Sequence, residues 1–199
     1  TDIVGRLVAK HLGEALKQPV VVDNRPGAGA AIGAEIVAKS APDGYTLFIG
    51  SPSSLTVNQS LYDNLPYKPG TDFVPISVVA NTPGLLAVHP SVPAKSAKDL
   101  IALVKKQKGK FNVAHNGSGT TSHLSVEMLK QLAGVDVASI PYKGGGPAMV
   151  DIMGGHTKVM FSSLVQTTPH IKSGKLRALG VGGLERNTVL PDVPSISEA

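Results

Sequence analysis

Apolar residues Ile3, Leu7, Val8, Leu12 and Leu16 recur at three- to five-residue spacing before Pro19, so the chain opens on an amphipathic helix with a breaker behind it. A β-branched run at 20–22 follows, then a glycine–alanine turn at 27–33 and a helix at 34–40 that Ala41-Pro42-Asp43-Gly44 stops. Further apolar runs predict strands at 46–49, 76–80, 85–88, 111–114, 137–140, 159–161 and 176–181. Between them the helical period predicts helices at 97–106, 122–132 and 147–153. Strands alternating with helices argue for α/β layering around largely parallel strands. Pro90-Ser91-Val92-Pro93 interrupts the pattern near its middle. The runs 85–89 and 176–181, flanked by Gly or Pro, read as two crossings between lobes. That places 1–88 and 177–199 in one lobe and 89–176 in the other; a single doubly wound sheet fits the same pattern. No fixed-period repeat is present.

Length and composition narrow the classes. With 199 residues, 42% of them apolar and 17% charged, the chain buries about 70% of its unfolded surface. This is not the composition of a disordered chain. Its longest apolar runs fall far short of the roughly 20 residues that cross a bilayer, and the first six residues do not read as a signal peptide. Cysteine is absent, which removes disulfides, thiolate metal sites and a cysteine nucleophile and suits either redox compartment. The net charge of +5 favours anionic partners. Its densest cluster, Lys105, Lys106, Lys108 and Lys110, closes a predicted helix, where cations complement the carbonyl end. Nucleic acid is not an expected partner, because no aromatic residue lies among these lysines apart from Phe111 just beyond them, and the chain has no Trp.

Three loops carry candidate chemistry. The segment His115-Asn116-Gly117-Ser118-Gly119-Thr120-Thr121-Ser122-His123 lies between a predicted strand and helix. Its glycines permit close backbone approach, and the helix after it begins with unpaired, partly positive amides. It is either a seat for a carboxylate or a plain helix cap made by Thr121 or Ser122. Tyr142-Lys143-Gly144-Gly145-Gly146-Pro147 repeats the arrangement, with proline near a helix start. Gly50-Ser51-Pro52-Ser53-Ser54 is a third strand-end loop, rich in hydroxyls. Such loops gather at the carboxyl edge of α/β sheets, where ligands bind. The segment 25–33 has glycines spaced G-x-G-x-x-x-G, one residue too long for a dinucleotide fingerprint, and close helix packing explains it better. No G-x-S-x-G elbow, phosphate loop or H-E-x-x-H motif occurs, and no histidine pair has metal-ligand spacing. A serine hydrolase would have to use Ser118 or Ser122 with His123.

Several motifs in order resemble one family. Asp23-Asn24-Arg25-Pro26-Gly27-Ala28-Gly29, Ile32-Gly33-Ala34, Pro42-Asp43-Gly44-Tyr45-Thr46-Leu47, Asp72-Phe73-Val74-Pro75-Ile76, the two glycine loops at 117–124 and 141–148, 173–179 and Leu190-Pro191-Asp192-Val193-Pro194 are similar to the Bug family. These are extracytoplasmic receptors of tripartite tricarboxylate transporters. The resemblance implies a two-lobed, type II-like periplasmic-binding-protein fold of the Venus-flytrap kind. Such a receptor closes on a small carboxylate in the periplasm and hands it to a large and a small membrane subunit. It implies no enzymatic chemistry, no cofactor and no metal, and a monomer. The family grips a carboxylate with hydroxyls and backbone amides. The matching positions are Ser51, Ser53 and Ser54 in one lobe and Gly117, Gly119, Thr120, Thr121, Tyr142 and Gly144 in the other. Ser162 and Ser163 match cleft positions where the family often carries Asp or Asn. The resemblance also implies that the family pattern is incomplete at both termini of this chain, with Thr1 and Asp2 next to the edge of the pocket.

Overall fold

The chain divides into two units, Thr1–Asn81 and Thr82–Ala199, and the computed structural model describes every residue of both. In the first unit, Asp2–Leu16 forms the expected helix, α1. Asp2 in its first turn accepts hydrogen bonds from Arg6 and Asn24, which sets a carboxylate where the helix amides leave partial positive charge. Helix α2, Ala31–Ala38, starts three residues earlier than its pattern suggests. A tight turn with positive φ at Gly27, Ala28, Gly29 and Ala30 feeds directly into it. A π-helical turn, Ser53–Val57, runs on into the one-turn helix α3, Asn58–Leu61, and neither was expected. The core of this unit is small: Ala31, Ala34 and Tyr67, with Phe48, Leu65 and Phe73 packed on them.

The three strands expected in this unit, at 20–22, 46–49 and 76–80, are not strands. Each lies outside regular secondary structure, with no ladder partner, and Val21, Ile76 and Val78 stand at least four-fifths exposed. A β-branched run favours extended backbone, but pairing and packing on a neighbour are what stabilise a strand.

The second unit builds a complete layered sheet. Its elements in order are β1 (Gly84–Val88), α4 (Ala97–Lys106), β2 (Asn112–His115), α5 (Thr121–Ala133), β3 (Ala138–Pro141), α6 (Gly145–Met153), β4 (Val159–Ser163), α7 (Leu164–Lys172) and β5 (Arg177–Val181). Every strand expected from 85 onward is present within a few residues. The strands lie in the order β3-β2-β4-β1-β5. β2 runs parallel to β3 and β4, as two β–α–β units require, whereas β1 is antiparallel to β4 and to β5. The two runs read as crossings are therefore adjacent strands of one sheet, and residues 177–199 group with the second unit. Helix α7 was missed because Gln166-Thr167-Thr168-Pro169 has poor helix propensity. Within it the Thr167 and Thr168 hydroxyls donate to carbonyls three or four residues back, which satisfies them inside the helix.

Alternation along the strands sorts the core into two layers. Leu86, Val88, Val113, Val159 and Leu179 face one side, where Leu100 and Val104 of α4 and Val126 of α5 cover them. Leu85, Ala87, Ala114 and Met160 face the other, against Ala148, Met149 and Ile152 of α6 and Leu164 of α7. Each such leucine or valine contributes about 1.5–3 kcal/mol by leaving water. Arg177 fastens the Pro90–Pro93 turn, donating from one nitrogen to the carbonyls of Val92 and Ala94, both at 3.0 Å.

Candidate functional site

The topology of the second unit singles out one edge of its sheet. After β2 the chain leaves on the α4/α5 face, and after β4, the strand hydrogen-bonded beside it, it leaves on the α6/α7 face. Neighbouring strands whose outgoing connections part to opposite faces leave a crevice at their carboxyl ends, the usual ligand position in α/β sheets. Three loops meet at that edge: 115–120 before α5, 142–144 before α6, and the Ser162–Ser163 corner before α7.

Backbone bonds stitch the first two loops together. Tyr142 N donates to His115 O at 3.1 Å and Gly144 N to Asn116 O at 3.2 Å. Gly117, at φ 121°, passes so close to Tyr142 that a β-carbon would lie 3.1 Å from its carbonyl oxygen, which is why glycine is required there. At Gly144, φ is 100°, again a conformation that favours glycine. The third loop joins through Gln166, whose amide lies over Gly145 and accepts from the Ser162 hydroxyl at 3.3 Å.

Thr120 is the N-cap of α5. Its hydroxyl donates to Gly117 O at 2.6 Å and accepts from His123 N at 3.3 Å, and it also meets the Ser122 hydroxyl at 2.9 Å. Ser122 in turn accepts from Asn116 N at 3.0 Å. The two readings of this loop, cap and anion seat, are thereby compatible. Hydroxyls close the loop on itself, and the first-turn amides of Thr121 and Ser122 have no intrahelical acceptor, as at any helix start. Helix α6 begins alike with Gly145 and Gly146; Pro147 is its third residue, not its first, and carries no N–H. The Ser163 side chain makes no cap bond to α7, whose first amide, Leu164 N, donates instead to Pro83 O at 2.9 Å. Several uncapped amides thus face one edge, an arrangement that attracts negative charge.

Two histidines brace the first loop from beneath. His115 is fully buried, and its Nδ1 lies 3.1 Å from Gly117 O and 3.3 Å from Gly117 N. Burial pushes its pKa below the ordinary histidine value. His123 sits beside it with ring centres 4.7 Å apart, and its Nδ1 accepts from Gly119 N at 3.2 Å.

The expected residues divide by position. Gly117, Gly119, Thr120, Thr121, Gly144, Ser162 and Ser163 all lie at this edge. Tyr142 reaches it through its backbone, while its phenol turns to Asp151 of α6; burial, and then that carboxylate, raise its pKa, and the same bond lowers that of Asp151. Ser51, Ser53 and Ser54 belong to the first unit. There Ser54 is buried, its hydroxyl accepting from Ser51 N and donating to Ser51 O, and Tyr67 OH donates to Ser54 O at 2.7 Å. Asn116, Gln166 and Gly145 were not anticipated. Asn116 Oδ1 is buried without a hydrogen-bond partner. Its place directly after β2 was the available signal, whereas Gln166 lies on the helix the pattern missed. The hydrolase alternative has no dyad: Ser118 is exposed, Ser122 bonds Asn116 and Thr120, and His123 Nδ1 is held by an amide.

A family model described as the tripartite tricarboxylate transporter family receptor matches residues 4–199. The chain belongs to this family. It is 42% identical over 199 residues to the Protein BugT of Bordetella pertussis, covering all of this chain and 61% of that protein. The solved structure of the periplasmic binding protein BugD is 39% identical with a TM-score of 0.95, covering 100% of this chain and 66% of BugD. An R. palustris protein solved with adipate is 37% identical with a TM-score of 0.97, covering 100% and 67%. The Bug resemblance and the periplasmic-binding-protein fold are therefore shown, in a family of receptors and not of enzymes. The chain spans about three-fifths of the length of the curated relatives it matches.

Proposed function

We propose that the protein is a periplasmic receptor that captures a small mono- or dicarboxylate by lobe closure and delivers it to the large and small membrane subunits of a tripartite tricarboxylate transporter. The observation that carries this is the set of uncapped helix-start amides of α5 and α6 on two loops bonded together at one sheet edge, in a chain of the receptor family. A carboxylate accepts such hydrogen bonds without an arginine, each contributing about 1.5–3 kcal/mol. Gly117, Gly119, Thr120, Thr121, Tyr142, Gly144, Ser162 and Ser163 shape or line the seat; Ser51, Ser53 and Ser54 are the candidates of the first lobe, where the Ser54 hydroxyl is taken up by Ser51. With serine at 162 and 163 that wall is uncharged, which suits a second carboxylate better than an ammonium group. The adipate bound to a relative supports the class. The lobe division 1–88 with 177–199 against 89–176 belongs to the same proposal. The antiparallel pairing of β1 with β5 supports placing the two crossings side by side. The protein acts as a monomer.

Calorimetry against mono- and dicarboxylates of three to eight carbons, adipate included, tests the reading. Saturable heat with at least one acid and no consumption of it is expected. No heat with any member overturns the proposal.

A further inference from the structure

The Gly119 amide, which the carboxylate reading needs at the seat, is already engaged. It donates to His123 Nδ1 at 3.2 Å, so that nitrogen carries a lone pair and the proton of the neutral ring sits on Nε2, 3.8 Å from Glu127 Oε1. Protonation of Nδ1 would set two N–H groups against each other and end the bond. Gly119 lies at φ 76° with Gly117 at 121°, so the peptides between them can turn without the cost a side chain would impose. A released Gly119 amide is then a donor that a carboxylate at this edge can satisfy.

We infer that His123 is a positioning residue that couples the two events: a carboxylate takes the Gly119 amide as His123 takes a proton. The inference rests on the carboxylate reading of this edge. The surroundings assign the proton to His123. His115 faces it from β2, but burial disfavours that ring's charged form. Glu127 of its own helix faces Nε2 and is itself paired with Lys130 at 2.8 Å. β3 and β4, which also pack on α5, present no titratable side chain along 138–141 and 159–163. Thr120 and Ser122 do not respond to pH, so the cap persists while one amide changes partner.

The coupling predicts proton uptake on binding and an affinity that rises toward acid, by at most about tenfold per pH unit for one linked proton. The test titrates adipate and acetate by calorimetry between pH 5 and 8 in two buffers of different ionisation enthalpy. Wild type and His123→Asn are compared; the asparagine oxygen can accept from Gly119 but cannot be protonated. Buffer-dependent heat in the wild type, and a flat pH profile in the variant with wild-type affinity at pH 8, are expected. Binding with equal heats in both buffers overturns the coupling and leaves the carboxylate reading standing. Absence of binding by either acid, and by the wider panel, overturns both. Nitrogen-15 spectra of the unliganded protein give a second reading: the Gly119 amide shifts with the His123 titration, and an amide that ignores it also overturns the inference.

Discussion

The two units of this chain use similar sequence signals with different results. In the second unit every β-rich run from 85 onward finds a ladder, and Leu85, Ala87, Val88, Val113, Val159 and Met160 are buried to 1% or less. In the first unit the runs at 20–22, 46–49 and 76–80 are as β-branched or aromatic, yet they pair with nothing, and Val21 and Val78 are 86% and 87% exposed. Strand formation is thus a property of a neighbourhood: a run becomes a strand when a partner lies along at least one edge and helices or strands cover its faces. The same contrast separates the candidate residues. The glycine loops of the second unit are fixed by backbone bonds to each other, whereas the serine turn of the first is fixed by the Ser51–Ser54 bonds within it and by the Tyr67 hydroxyl.

Stability measurements break or sharpen this comparison. Ile152→Ala, at a fully buried position between α6 and the sheet, costs about 2–5 kcal/mol in urea unfolding. Val78→Ala in the first unit changes stability by less than about 0.5 kcal/mol; equal losses at the two sites would erase the distinction. Gly117→Ala combines a positive φ with the nearby Tyr142 carbonyl and costs about 1–3 kcal/mol. Gly70→Ala, with open space around it, is neutral to about 1 kcal/mol stabilising. Thr120→Val removes the α5 cap and its bond to Gly117 O, for about 0.5–2 kcal/mol. The resulting change in loop shape weakens carboxylate binding about tenfold, read by calorimetry; unchanged affinity removes Thr120 from the site.

The smallest effect is on pH. His115 is buried with its charged form disfavoured, so its folded-state pKa lies below the unfolded value of about 6.5. The unfolded chain then binds more protons than the folded one as the pH falls past that value, and stability is lost toward acid. Asp151, held down by the Tyr142 hydroxyl and by Thr157, and Glu127, held down by Lys130, extend the loss into the carboxylate range. Unfolding midpoints of the second unit should fall from pH 7 to pH 4. A midpoint that rises instead contradicts the burial account of His115.

Much of the second unit was legible because its signals are local. The helix at 97–106 agrees residue for residue with α4, since Ser96 caps it through Asp99 N and lysines close it. The glycine loops were legible as loops, and Gly117 and Gly144 indeed occupy conformations that only glycine adopts freely. What spacing could not supply is register. That β1 runs antiparallel between β4 and β5, that Gln166 lies over Gly145, and that Tyr142 turns its phenol to Asp151 all depend on contacts between residues distant in sequence. Ser54 shows the converse limit. A hydroxyl in a strand-end loop looks available in sequence, and the π-turn at Ser53–Val57 instead folds it back onto Ser51.

The most direct test of the carboxylate seat is an amide-resolved titration of the nitrogen-15-labelled protein with adipate. Saturable shifts concentrated on Thr121, Ser122, Gly145 and Gly146, with the Ile152 and Leu86 amides still, are the predicted result. Saturation with those four amides unmoved would contradict the account.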